Sequence, residues 1–144
     1  PGGGGMRGSG GSHMDTIQNL LDSHELIRRT VNQDEETNII STLTWSDNPQ
    51  VSDWIKVHVK QMMQRVKQDR PIRRWDPVFA ALFEHADEIE TSSTNTENGV
   101  AVTQEGKTEC GRTLVALHSA IVTSFVERGR DAAQESHPVL NGVC

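Results

Sequence analysis

Residues 54–66, WIKVHVKQMMQRV, and residues 114–126, LVALHSAIVTSFV, decide the fold. Each spells one apolar stripe of a helix and breaks it with a histidine, His58 in the first and His118 in the second. The offset between them is 60 residues, and the flanking sequence repeats with it. Leu21 falls on Leu82, His24 on His85, Glu36 on Glu97 and Ile39 on Val100 at an offset of 61, and Ile55 on Val115, Val66 on Val126 and Arg70 on Arg130 at 60. A one-residue drift is what a small loop insertion produces, and both histidine pairs survive it. The chain reads as an internal duplication.

The repeat lets each half be read with one template. Residues 16–29, TIQNLLDSHELIRR, place Ile17, Leu20, Leu21, His24 and Ile27 at helical spacing. RTVNQ, the polar DEET and NIISTLTW then read as two β-branched strands around a turn. Ser46, Asp47, Asn48 and Pro49 start the helix that carries Val51, Trp54, Ile55, His58, Met62 and Val66. Pro71 and Pro77 forbid its continuation. In the second half Pro77 opens a helix with Val78, Leu82, His85 and Ile89 on one face, and Asn98-Gly99 suits a tight hairpin turn with positive φ. The last helix, from about Gly111 to Arg128, carries Leu114, His118, Ile121, Val122 and Phe125.

The expected fold is α+β: two αββα repeats with pseudo-two-fold symmetry, whose hairpins join in an antiparallel four-stranded sheet packed by helices. Two separate αββα lobes come second and a mostly helical bundle third. The expected boundaries are 1–14 as expression tag and linker, 15–76 as the first repeat, 77–139 as the second and 140–144 as a tail. The tag assignment rests on the Gly-rich opening and the Gly-Ser-His-Met of residues 11–14, which also removes His13 from consideration. About 130 residues then remain, enough for one ordinary core.

Composition excludes more than it selects. With 14 basic and 20 acidic residues the net charge is −6, so the chain lacks the positive field of a general nucleic-acid or anionic-membrane binder. No run approaches the roughly eighteen apolar residues of a membrane span, and a soluble protein is expected. Cytoplasmic and periplasmic locations both stay open, since a tag could stand where a signal peptide stood. Two cysteines, Cys110 at a helix start and Cys144 at the end, give no disulfide framework and no Cys-x-x-Cys.

Three segments, PIRRWDPVFAALFEHADEIE, NGVAVTQ, and HSAIVTSFVERG with ESHPV, together with SDNP at 46–49, resemble small duplicated bacterial α+β proteins of uncharacterised function. Their pattern is a helix histidine, a strand-SDDP-helix unit and a closing His-Pro-Val. The resemblance implies a duplicated α+β fold in which histidines matter, and it implies no activity. GKTEC, residues 106–110, stands where the second strand-to-helix unit would be.

His24, His58, His85 and His118 therefore carry the functional question. An imidazole on an apolar face must satisfy an N–H and a lone pair. One reading makes each a structural histidine bonded to a nearby carbonyl. The other makes them ligands, because neutral imidazole binds zinc, copper and haem iron, and a pseudo-two-fold axis brings equivalent histidines together. His58 and His118 could supply both axial ligands of a haem among Ile55, Met62, Leu114, Ile121 and Phe125. His24 with His58 and His85 with His118 could instead form two equivalent metal sites. A zinc site needs further ligands, for which Glu84, Glu88 and Cys110 qualify by type. His137 reads as a solvent-facing tail residue that could alternatively reach over a pocket as a fifth ligand, and Arg70, Arg73, Arg74 and Trp75 as a linker rather than a nucleic-acid patch.

No Gly-x-Ser-x-Gly, phosphate loop or paired carboxylates suggest an enzyme. The expectation is a histidine-mediated protein for haem or a transition metal (Fe, Cu or Zn), acting as carrier, sensor or electron-transfer protein. The alternative is an interaction or regulatory module with structural histidines and a homodimeric apolar face.

Overall fold

The computed structural model describes residues 8–139 and Cys144, with side chains from Met14 onward. Helix α1 (Gly8–Asp22) leads through a 3-10 turn (His24–Leu26) into β1 (Arg28–Gln33) and β2 (Ile40–Trp45), and α2 (Pro49–Lys67) follows. Helix α3 (Pro77–Glu84), a second 3-10 turn (Ala86–Glu88), β3 (Ile89–Asn95), β4 (Gly99–Gly106), α4 (Glu109–Arg128) and the short α5 (Arg130–Ala133) complete the order. The protein is α+β, with one four-stranded antiparallel sheet in the order β1-β2-β4-β3. Helix α1 begins before the expected Asp15 start, since a nucleated helix gains one hydrogen bond for each further residue it fixes.

Helices α2, α3 and α4 each start where a side-chain oxygen meets unpaired N–H groups. Asn48 Oδ1 accepts from Gln50 N at 3.0 Å and Val51 N at 3.2 Å, with Pro49 as the first helical residue of α2. Asp76 does the same for α3 through Val78 N at 3.1 Å. Within GKTEC the role falls to Thr108, whose Oγ1 accepts from Gly111 N at 2.9 Å.

Pairing assigns the faces of the sheet. Arg29 lies opposite Thr44 and Thr44 opposite Val100, so these three share one face. Helix α4 covers that face against all four strands, and α2 covers it against β2 and β4. Between helices and sheet, Ile27, Val51, Ile55 and Val100 form a buried cluster that Leu20, Trp54, Val59, Val102 and Val126 surround. Each such side chain contributes about 1.5–3 kcal/mol by leaving water. The opposite face exposes Arg28, Thr30, Ser41 and Thr103, which is the polar alternation of a one-sided sheet.

The hairpin at Gly99 forms for a different reason from the one expected. Gly129 is the one described glycine with positive φ, at 63°. Gly99 is needed instead because a Cβ there would run into the Thr44 carbonyl of the paired strand. His24 and His85 also depart from the expected stripes. Helix α1 ends at Asp22 and α3 at Glu84, so His24 opens a 3-10 turn and His85 is the C-terminal cap of α3. Among the described residues no helix is long and apolar enough to cross a membrane.

Candidate functional site

The turn Ala86–Glu88, the end of β4 and the start of α4 come together unusually closely. Lys107 N donates to the Glu88 carbonyl at 2.7 Å, and a Cβ on Gly111 would contact that same carbonyl. A Cβ on Gly106 would collide with the backbone of Gly111 and Arg112. Two glycines thus let the first turn of α4 pack directly on the loop that carries His85. Cys110, buried in that first turn, is delivered to His85 by this approach.

Here His85, Cys110 and Cys144 offer ligand atoms that all lie within 4.8 Å of one another. The two sulfurs are joined in a disulfide across 34 positions of sequence. This corrects the expectation of unpaired cysteines: the fold returns the C-terminus to the start of α4, a proximity that Cys spacing does not reveal. The tail is pinned before it arrives. His137 donates its backbone N–H to Asp76 Oδ1 at 3.2 Å and its Nδ1–H to Asp76 Oδ2 at 2.6 Å. Arg73 holds the same carboxylate from Nε at 3.3 Å and reaches the Ala133 and Glu135 carbonyls. His137 is therefore half-buried and anchored, not solvent-facing as expected, because Asp76 is fully buried and needs partners on every lone pair.

His85 is itself oriented. Its Nδ1–H donates to Glu88 Oε2 at 2.6 Å, and Glu88 Oε1 accepts from the Thr108 hydroxyl at 2.6 Å. These two bonds hold the Glu88 carboxyl below the usual carboxylate range, Thr108 contributing most. A proton held on Nδ1 by Glu88 leaves the Nε2 lone pair available, the arrangement that carboxylate-histidine pairs create at metal centres. Glu84 and Glu88 were ligand candidates by type, and Glu88 takes the supporting position.

The other three histidines sit elsewhere. His24 donates its Nδ1–H to the Val126 carbonyl at 2.8 Å and packs against Gly129, which makes it a cap on the C-terminal end of α4. His58 lies within electrostatic reach of His118 and opposes a charge on it. His118 lies 3.4 Å from Gln104 Oε1, and the Phe79 ring meets its imidazole edge-on at 5.8 Å. Gln104 in turn donates to Thr91 at 3.2 Å. Desolvation, then the Arg29 guanidinium and His58, push His118 down to about 4, so its imidazole is neutral.

Arg29 is the unexpected member of this interior group. It donates to Thr123 Oγ1 at 3.1 Å, Thr44 Oγ1 at 3.3 Å, and Ser119 Oγ and O at 3.1 and 3.3 Å. All these partners are neutral, and burial lowers the guanidinium to about 10. A retained positive charge that acts on His118 works against a divalent cation bound to it. No pattern in the sequence sets Arg29 apart from the exposed Arg28 next to it.

The structure thus brings His85 to the cysteines, sets His58 within electrostatic reach of His118, and leaves His24 at the end of α4. Cys144 was missed as a site residue, although a chain with two cysteines admits one intramolecular pairing. An open groove of about 540 Å³ between α2 and β3, lined by Lys56, Lys60, Lys67, Gln64, Ser93 and Asn95, holds none of these histidines. In comparison with known proteins, no family model, curated protein or solved structure matches the chain.

Proposed function

We propose that the protein binds a thiophilic transition-metal ion, such as zinc, through His85 and the thiolates of Cys110 and Cys144, as a carrier or sensor. The observation that carries this reading is the convergence of one nitrogen and two sulfurs within 4.8 Å. Tetrahedral zinc, with Zn–S about 2.3 Å and Zn–N about 2.0 Å, sets its ligand atoms roughly 3.5–3.8 Å apart, a spread these side chains can reach. Support comes from the Glu88 bond that orients His85 and from the place of Cys110 in the first turn of α4, where the helix dipole favours an anionic sulfur. Three protein ligands leave a fourth position for solvent or for a partner that receives the ion.

Cobalt titration of the reduced chain tests this. Stoichiometric d–d and thiolate charge-transfer bands are expected, lost in His85→Ala and Cys110→Ser and kept in His13→Ala. Absence of those bands from a chain with two titratable thiols would refute it.

A second reading keeps His58 and His118 as haem ligands. Its support is the neutral state of His118, its edge-on contact with Phe79 and its electrostatic coupling to His58. A Soret shift on haem addition that His58→Ala and His118→Ala weaken is its expected signature. We further infer that the chain is a duplicated αββα unit of the bacterial kind that its sequence resembles. The adjacency of β2 and β4 at the sheet centre and the 3-10 turn before each hairpin support that origin.

A further inference from the structure

We infer that the Cys110–Cys144 disulfide and a bound metal ion are alternative states of one centre, so that thiol oxidation governs metal occupancy. This inference rests on the metal-binding reading above and adds its regulation. The same two sulfur atoms serve both states. A thiolate is a ligand, whereas a disulfide has used those electrons in the S–S bond.

The surrounding structure suits an exchange between the two. His85 is positioned through Glu88 and Thr108, none of which involves a sulfur, so the nitrogen ligand is ready in either state. Cys110 is fixed by the close packing of Gly106 and Gly111. Cys144 is exposed and belongs to the tail, which His137 ties to the buried Asp76. Seven residues beyond that tie span at most about 24 Å, so a reduced Cys144 stays tethered near Cys110 instead of being lost.

The chemistry balances with a low-molecular-weight disulfide as the oxidant. The two metal-bound thiolates give up two electrons and form the protein S–S bond. The oxidant's S–S bond breaks to two thiolates, which take protons from water, and the ion leaves without changing its own charge. Uptake is the reverse. A dithiol reductant transfers two electrons and two protons to the protein disulfide and becomes a disulfide, and the incoming ion displaces the two thiol protons.

The test uses the full chain and zinc alone, with a chromophoric chelator to read free ion. The reduced chain should bind one zinc, and the disulfide form should bind about tenfold more weakly or less. Adding a low-molecular-weight disulfide to the zinc-loaded chain should release one zinc for each two thiols lost. Equal zinc affinity in the two forms would overturn the exchange while leaving the metal reading standing. Failure of the reduced chain to bind zinc overturns both, and it is seen before any oxidant is added. Mass spectrometry of the chain after release should show the loss of two hydrogens and no oxidant adduct, as an intramolecular Cys110–Cys144 bond requires. Release accompanied only by an oxidant adduct on one cysteine would also overturn the exchange.

Discussion

Glu88 holds His85 by a 2.6 Å bond to Nδ1, and its other oxygen is held by the Thr108 hydroxyl that also caps α4. One carboxylate thus couples the geometry of a helix start to the direction of an imidazole. Glu88→Gln should keep the fold but lose the charge that fixes the tautomer. Zinc affinity of the reduced chain is expected to fall about 10–100-fold, measured by chelator competition. An unchanged affinity would mean that Glu88 is only a cap partner.

Acid should weaken the fold through His118. Its imidazole sits at about 4 in the native state and near 6.5 when unfolded, so between these values the unfolded chain binds the extra proton. The stability it contributes is complete above about pH 6.5 and is lost as pH falls toward 4. Denaturation midpoints in urea should drop between pH 7 and 4.5 by the equivalent of roughly 2–3 kcal/mol, and His118→Gln should flatten that part of the profile. The groups that face this imidazole, Arg29 and His58, both oppose a charge on it and add to the same direction.

Gly129 turns the chain at φ 63°, and a Cβ there would press on the His24 ring that caps α4. Gly129→Ala is expected to cost about 1–3 kcal/mol. His24→Ala should cost about 1 kcal/mol on its own through the lost bond to Val126. In the double variant the Gly129 penalty should shrink, since the steric part is gone. Additive costs would show that backbone conformation alone demands the glycine.

Asp76 is fully buried and accepts from Val78, Arg73 and the backbone N–H and Nδ1–H of His137. Asp76→Ala removes the counter-charge of a half-buried guanidinium that stacks over Trp75, Phe79 and Phe125 at 4.4–5.1 Å, and leaves it only the Ala133 and Glu135 carbonyls. A loss of about 3–5 kcal/mol in urea denaturation is expected. His137→Ala should cost less, because Arg73 and the cap remain. It should also slow re-formation of the Cys110–Cys144 disulfide, followed by thiol titration, because the tail loses its tie.

Local patterns made most of the fold legible. The stripe around Ile55 and the one around Leu114 are helical because burial needs one face at the helical period, and RTVNQ and NIISTLTW are strands because β-branched residues favour the pleat. The helix ends of α1 and α3 were harder. Leu26 and Ile27 continue the apolar spacing past Asp22, but the chain must turn there to enter β1, and the 3-10 turn wins. His24 thereby left the stripe and became a cap on a helix about a hundred positions later in the chain.

The sequence by itself determined the α+β class, the four strand segments, and that His58 and His118 each lie on a long helix. Only the tertiary structure decided which chemically able groups meet. Cys144 reaches Cys110 across 34 positions, and Arg29 comes under Ser119 across 90, because the sheet order and the anchored tail bring remote backbone together. Short-range periodicity reflects what one residue needs from solvent. Convergence of a thiol pair on an imidazole depends on how whole elements pack, and no local pattern encodes that distance.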